Sequence, residues 1–123
     1  MADRSNQFVS AIELHELMQD SAVSPLVIDV RDQLDYQSGH IPDAINIPAD
    51  VVLESLQQVT TGQQPVVLYC DMRHPGASRS ERTAELLRSN GIPTQVLKGG
   101  FPAWEAAEYP VDRGKQFHQI GKV

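Results

Sequence analysis

The sequence predicts an α/β fold, a parallel β-sheet with helices packed on both of its faces. Three observations carry this. Two short apolar runs, Leu26-Val27-Ile28 and Val66-Val67-Leu68-Tyr69, do not alternate with polar residues, as expected of strands buried on both faces. Segments of helical apolar spacing separate the runs, beginning at Ser10, Asp50 and Ser78. Strands and helices then alternate along the 123 residues, which requires right-handed crossovers and a single parallel sheet.

Taken in order, Phe8-Val9 is a short strand. Ser10-Ala11-Ile12-Glu13 has the form of a capping box, with Val9 and Leu14 as its hydrophobic staple. The first helix runs from Ala11 to Gln19 or Asp20, with Leu14, Leu17 and Met18 on its apolar face and His15 on its surface. The second strand ends on a charged pair, Asp29 and Arg31, read as a structural ion pair that positions the neighbouring loop. Gln33 to Gln37 forms a helical turn closed by Ser38-Gly39, and His40 to Asp43 forms a turn. Ala44 to Ile47 is a strand stopped by Pro48. Asp50 caps a helix over Val51 to Val59. After the strand that ends on Cys70, Ser78-Arg79-Ser80-Glu81 offers a second capping box, with Ala84, Leu86 and Leu87 as core residues. Asn90-Gly91 stops that helix, Thr94 to Leu97 is the last strand, and Gly99-Gly100 turns the chain into a short helix carrying Trp104. The domain is expected over residues 1–111, with 112–123 as a C-terminal tail.

The formal charge of -6 argues against nonspecific nucleic-acid binding or attachment to an anionic membrane, both of which need basic surfaces. Against that background, Arg73, Arg79, Arg82 and Arg88 form a local basic stretch suited to a small anionic substrate. The single cysteine excludes an internal disulfide and suits a reducing compartment. No segment has the layout of a signal peptide and no apolar run reaches membrane-spanning length, so a cytoplasmic location is expected. The four histidines, His15, His40, His74 and His118, show no metal-ligand spacing, and neither a metal nor a cofactor is called for.

Cys70 is the candidate catalytic residue. Ligands of open parallel sheets bind beyond the C-terminal strand ends, which places Cys70 and the Asp29–Arg31 pair on one edge. The helix after the loop aims its free N–H groups and positive dipole end at that edge, an arrangement that favours thiolates and anions. Two readings of the thiol stand on these residues alone, a nucleophile for electrophilic sulfur and a small inert core side chain. His74 is near enough in sequence to act as a base, and is equally a solvent-facing loop residue.

Several motifs together resemble single-domain rhodaneses: Leu26-Val27-Ile28-Asp29-Val30-Arg31, Gly39-His40-Ile41-Pro42-Asp43-Ala44-Ile45-Asn46-Ile47-Pro48, Val67-Leu68-Tyr69-Cys70, Arg79-Ser80, and Leu97-Lys98-Gly99-Gly100-Phe101-Pro102-Ala103-Trp104. They occur in the family's order and reach from the first capping box to Pro110. The resemblance implies a three-layer fold with a five-stranded sheet in order 3-2-4-5-1 and the cysteine-bearing strand central. It also implies sulfur transfer through a Cys70 persulfide, from a small anionic donor such as thiosulfate to cyanide or a protein or small-molecule thiol. The substrate-binding positions are then Arg73, His74, Gly76, Ser78, Arg79 and Ser80.

The chain departs from the family at this loop. Rhodaneses usually place four residues between the cysteine and the matching arginine, whereas eight separate Cys70 from Arg79. A longer loop admits a larger donor or lets Arg73 replace Arg79 as the anion clamp. A loop remodelled further leaves a non-catalytic binding or regulatory module. The related phosphatases and arsenate reductases carry an arginine six places after the cysteine, where this chain has Gly76. Asp43 stands where the family's turn usually has glycine, a minor change in turn chemistry.

Overall fold

The computed structural model describes residues 7–20, 22, 25–59, 64–71 and 78–114. Five parallel strands form one sheet: β1 (Phe8–Val9), β2 (Leu26–Asp29), β3 (Ile45–Asn46), β4 (Val66–Tyr69) and β5 (Thr94–Leu97). Their order across the sheet is β1-β5-β4-β2-β3, the expected 3-2-4-5-1 seen from the other edge. The helices are α1 (Ala11–Gln19), α2 (Gln33–Ser38), α3 (Val52–Val59), α4 (Arg79–Ser89) and α5 (Gly100–Ala106).

The central strand shows why its sequence does not alternate. Val67 and Tyr69 enter a core with Leu14 of α1 and Phe101 and Trp104 of α5. Val66, Leu68 and Cys70 enter a second core with Val52 and Leu56 of α3 and Ala84 and Leu87 of α4. Successive side chains point to opposite faces, and both faces are covered, so every position must be apolar. Both cores contribute to one sheet edge: Cys70 leaves β4 on the α3/α4 side, directly after Tyr69 leaves it on the α1/α5 side.

The first capping box is closed. Ser10 N–H donates to Glu13 Oε1 at 2.9 Å, and Glu13 N–H donates to Ser10 Oγ at 3.0 Å. Val9 and Leu14 lie in the same core, as a staple requires. Asp43 occupies its turn at φ 69°, a left-handed conformation that Asp tolerates better than most residues and glycine adopts freely.

Four local expectations are corrected. Asp50 does not cap α3: it lies inside a 3₁₀ turn, Ala49–Val51, which starts from Pro48 and closes through Val51 N–H to the Pro48 carbonyl at 3.0 Å. That tight turn supplies the helix entry that a side-chain cap would otherwise provide. Strand β3 is shorter than Ala44–Ile47. Leu86 is exposed while Leu87 is fully buried, because adjacent helix positions are about 100° apart and only one can face the sheet. His15 is not a free surface residue: its ring stacks on Tyr109 at 4.0 Å and 2°, with Trp104 alongside.

The segment after α5 returns to the end of α2. His40 and Asp112 exchange backbone hydrogen bonds of 2.9 Å, and Gly114 N–H donates to the Gln37 carbonyl at 2.9 Å. No helix among the described residues is long and apolar enough to cross a membrane.

Candidate active site

Cys70 is a buried cysteine, not in a disulfide, just past the end of the central strand. Its backbone is fixed by Phe101, whose N–H donates to the Cys70 carbonyl at 2.7 Å. Its Sγ lies 3.3 Å from Ser80 Oγ in the first turn of α4. The sulfur therefore sits at the positive end of an 11-residue helix, where negative charge is favoured.

Ser78 caps α4. Its Oγ accepts from Glu81 N–H at 3.1 Å, donates to Glu81 Oε2 at 3.2 Å and lies 3.2 Å from Ser80 Oγ. Both serines are buried; Ser80 touches the sulfur and Ser78 touches Ser80. Arg79, the residue between them, points elsewhere: its guanidinium is half-exposed and lies 3.9 Å from Asp32. An exposed pair of that kind adds about 1 kcal/mol at most. Arg73, His74 and Gly76 lie outside the described residues.

Asp29 and Arg31 form the other polar cluster on this edge. Arg31 Nε donates to Asp29 Oδ1 and Oδ2 at 3.0 and 3.1 Å, and Nη2 donates to Oδ2 at 2.7 Å. Nη2 also donates to the Gly39 carbonyl at 2.6 Å, so the pair ties the end of α2 to the end of β2. The guanidinium lies over the rings of Phe101 and Tyr69, 4.6 and 5.6 Å from their centroids. Burial works against the Arg31 charge, but the hydrogen bonds and charge of Asp29 outweigh it and raise its pKa. Burial, followed by the Asp29 charge, pushes the Tyr69 phenol above its ordinary range; its oxygen accepts from Ile41 N–H at 3.0 Å. Tyr36 is pushed up to about 12 by burial and then by Asp29, and donates to the Ala44 carbonyl at 2.6 Å.

Among the described residues the structure thus brings Ser80 to the sulfur of Cys70 and Ser78 to Ser80, while Asp29 and Arg31 tie the end of β2 to the end of α2. Three participants were not singled out for the site from sequence. Asn46 Nδ2 donates to the Asp29 and Arg31 carbonyls at 2.9 Å each, locking the strand end. Phe101 holds the Cys70 carbonyl and covers Arg31. Glu81 bonds Ser78 through both its N–H and its carboxylate; its signal was the capping motif itself, read only as a helix start. Beside this edge a cavity of about 350 Å³ is lined by Arg31, Asp35, Gly39, Asp71, Phe101 and Glu105, among others. No group of three or more potential metal ligands occurs among the described residues.

This geometry can hold a sulfur nucleophile at a helix N-terminus, and comparison with known proteins agrees with the architecture. An HTH-type transcriptional regulator of Mycobacterium tuberculosis is 35% identical over 88 residues, covering 72% of this chain and 38% of the regulator. The chain spans between 34% and 59% of the length of the curated relatives it matches. Among solved structures, a Bacillus halodurans protein superposes with a TM-score of 0.78 at 23% identity, covering 89% of this chain and 79% of that one. A thiosulfate sulfurtransferase from Pseudomonas aeruginosa superposes with a TM-score of 0.75 at 25% identity, covering 91% of this chain and 21% of that one. The model of the rhodanese-like domain matches residues 10–107, the segment that holds four of the five strands, all five α-helices and Cys70. The chain belongs to the rhodanese-like domain family.

Proposed function

We propose that the protein is a rhodanese-type sulfurtransferase that carries a sulfane sulfur as a Cys70 persulfide. The observation that supports this most is the seat of Cys70 Sγ, 3.3 Å from Ser80 Oγ in the first turn of α4. A thiolate there attacks the outer sulfur of thiosulfate or a similar small anionic donor. The donor S–S bond breaks, sulfite leaves with the bonding electron pair, and Cys70 retains the sulfur as a persulfide anion. Attack on that outer sulfur by cyanide, or by a small-molecule or protein thiol, regenerates the Cys70 thiolate. The N-terminus of α4 favours the negative charge at each stage. Asp29 and Arg31 serve as loop-positioning residues. Donor attraction falls to Arg79 or Arg73, with Ser80 at the sulfur and Ser78 beside Ser80. A cysteine outside any disulfide suits a reducing, cytoplasmic setting.

A binding or regulatory module on the same fold is the second reading. It is favoured by the burial of Cys70, which is 2% exposed, and by the pairing of Arg79 with Asp32. The solved relative named as a thiosulfate sulfurtransferase supports the first reading, and the relative named as a transcriptional regulator supports the second. Thiocyanate formation from thiosulfate and cyanide separates them. Turnover by the wild type and none by Cys70→Ser is expected of the enzyme. No turnover by the wild type, or equal turnover by Cys70→Ser, would exclude it.

A further inference from the structure

The cavity of about 350 Å³ at the sheet edge joins two opposite kinds of charge. Its inner lining includes Arg31, Gly39 and Phe101, all buried, and its outer lining carries the exposed carboxylates of Asp35, Asp71 and Glu105. Arg31 is 5% exposed, yet its guanidinium is only partly used. Nε and Nη2 donate to Asp29, and Nη2 donates also to the Gly39 carbonyl. Nη1, whose two hydrogens can only donate, has no partner among the described residues. The one side-chain atom there that is both sealed from solvent and without a partner is His40 Nε2. Nη1 therefore keeps an opening, and the cavity that Arg31 lines supplies it.

Asp35, Asp71 and Glu105 make no ion pair and no side-chain hydrogen bond among the described residues. Asp29 already neutralises Arg31, so these three carboxylates leave the mouth of the cavity negative. A negative mouth turns away a simple anion and admits a group that also carries positive charge. A ligand with one oxyanion for Nη1 and one ammonium for the mouth satisfies both. The cavity also adjoins the nucleophile: Asp71 directly follows Cys70, and Phe101 N–H donates to the Cys70 carbonyl at 2.7 Å. We infer that this cavity holds the α-amino-acid end of a zwitterionic thiol of the cysteine class, which serves as the sulfur acceptor. Its carboxylate meets Arg31 Nη1 and its ammonium meets Asp35, Asp71 and Glu105.

The acceptor role rests on the proposed function and names the acceptor for that same site. The acceptor thiol first gives its proton to solvent. Its thiolate then attacks the outer sulfur of the Cys70 persulfide, and the old S–S bond breaks with its electron pair returning to Cys70. The acceptor leaves as a persulfide, and no outside oxidant or reductant is needed.

The test is binding of S-methyl-L-cysteine, which has no thiol to react, followed by amide NMR shifts. Saturable binding with shifts at Gly39, Asp71 and Phe101 is expected. Its methyl ester, without the carboxylate, and its N-acetyl derivative, without the ammonium, should each bind about tenfold more weakly, the worth of one charge-assisted bond. Arg31→Lys, which keeps a cation opposite Asp29 but has no Nη1, should weaken the probe about tenfold as well. The exposed double substitution Asp35→Asn with Glu105→Gln should do the same without disturbing the core. No saturable binding, equal binding of either derivative, or shifts confined to other amides overturns the inference. Because the probe cannot accept sulfur, selective binding without sulfur transfer would strike the proposed function and the acceptor role while leaving the amino-acid site in place. On protein loaded from thiosulfate, cysteine should take sulfur about tenfold faster than cysteamine, which lacks the carboxylate, and at nearly the same rate in Arg31→Lys. Equal rates in the wild type overturn the acceptor role.

Discussion

Two polar clusters, one buried and one partly buried, lie at the same edge of the sheet and are built on opposite terms. At the end of β2, Asp29 and Arg31 cancel each other's charge through a two-pronged contact, and Arg31 continues to the Gly39 carbonyl. Asn46 closes the same region through two backbone carbonyls. That arrangement has one satisfactory set of donors and acceptors, so it holds its loops in one geometry. At the end of β4, Cys70, Ser80, Ser78 and Glu81 are joined by hydroxyls whose hydrogens can point either way. Between Cys70 and Ser80, and between Ser80 and Ser78, either atom can be the donor, so the bonding there is adaptable. A fixed cluster suits scaffolding and a reversible one suits chemistry, and a sheet edge with both can keep its shape while a sulfur changes charge.

The contrast implies that substitutions in the first cluster cost stability, whereas those in the second cost reactivity. Arg31→Ala leaves a fully buried carboxylate without its cation and is expected to cost about 3–5 kcal/mol in chemical denaturation. A loss under about 1 kcal/mol would mean that Asp29 does not depend on the pair. The tyrosines beside the first cluster should make stability fall at high pH. Tyr36 is shifted from 10.0 to about 12, so the unfolded chain ionises first. Its contribution is fully present below pH 10 and is lost as pH rises through about 12. Denaturation midpoints across that range should decline less steeply in Tyr36→Phe than in the wild type.

In the second cluster, Ser80→Ala should lower the rate of sulfur transfer about tenfold while changing stability by no more than about 1 kcal/mol. A loss of stability without loss of transfer would make Ser80 merely structural. Ser10→Ala serves as the control at the other Ser-x-x-Glu start. It should cost about 1 kcal/mol and leave Cys70 alkylation unchanged. The smallest effect is expected at Glu105→Gln, in the cavity lined also by Asp35 and Asp71. Removing one of three carboxylates there should lower KM for thiosulfate about twofold at low salt and have less effect at high salt.

The paired Ser-x-x-Glu motifs also show how far the sequence could be read. Both announce a helix start, and both helices begin there. Around Ser10 the motif is only a cap, with its two backbone N–H groups satisfied reciprocally. Around Ser78 the same letters connect to a sulfur, because β4 delivers Cys70 beside the first turn of α4. The order strand, loop, helix already aims the start of α4 at the thiol, whereas the individual hydroxyl contacts depend on how α4 packs against β4, which local spacing does not encode. The two-faced burial of β4 was legible because its four residues are all apolar, and the charged end of β2 was legible because strand geometry sets Asp29 and Arg31 on one side. The stack of His15 on Tyr109 was not, since its partner comes from the far end of the chain. Nor was the 3₁₀ entry to α3, where Asp50 resembles a cap and Pro48 sets the turn.

The most direct measurement is intact-mass analysis of the protein after treatment with thiosulfate, followed by removal of excess donor. A rhodanese-type Cys70 should gain the mass of one sulfur atom, lose it on addition of cyanide, and show no gain in Cys70→Ser. No added sulfur on the wild type, or the same addition to Cys70→Ser, would contradict a persulfide carried at the start of α4.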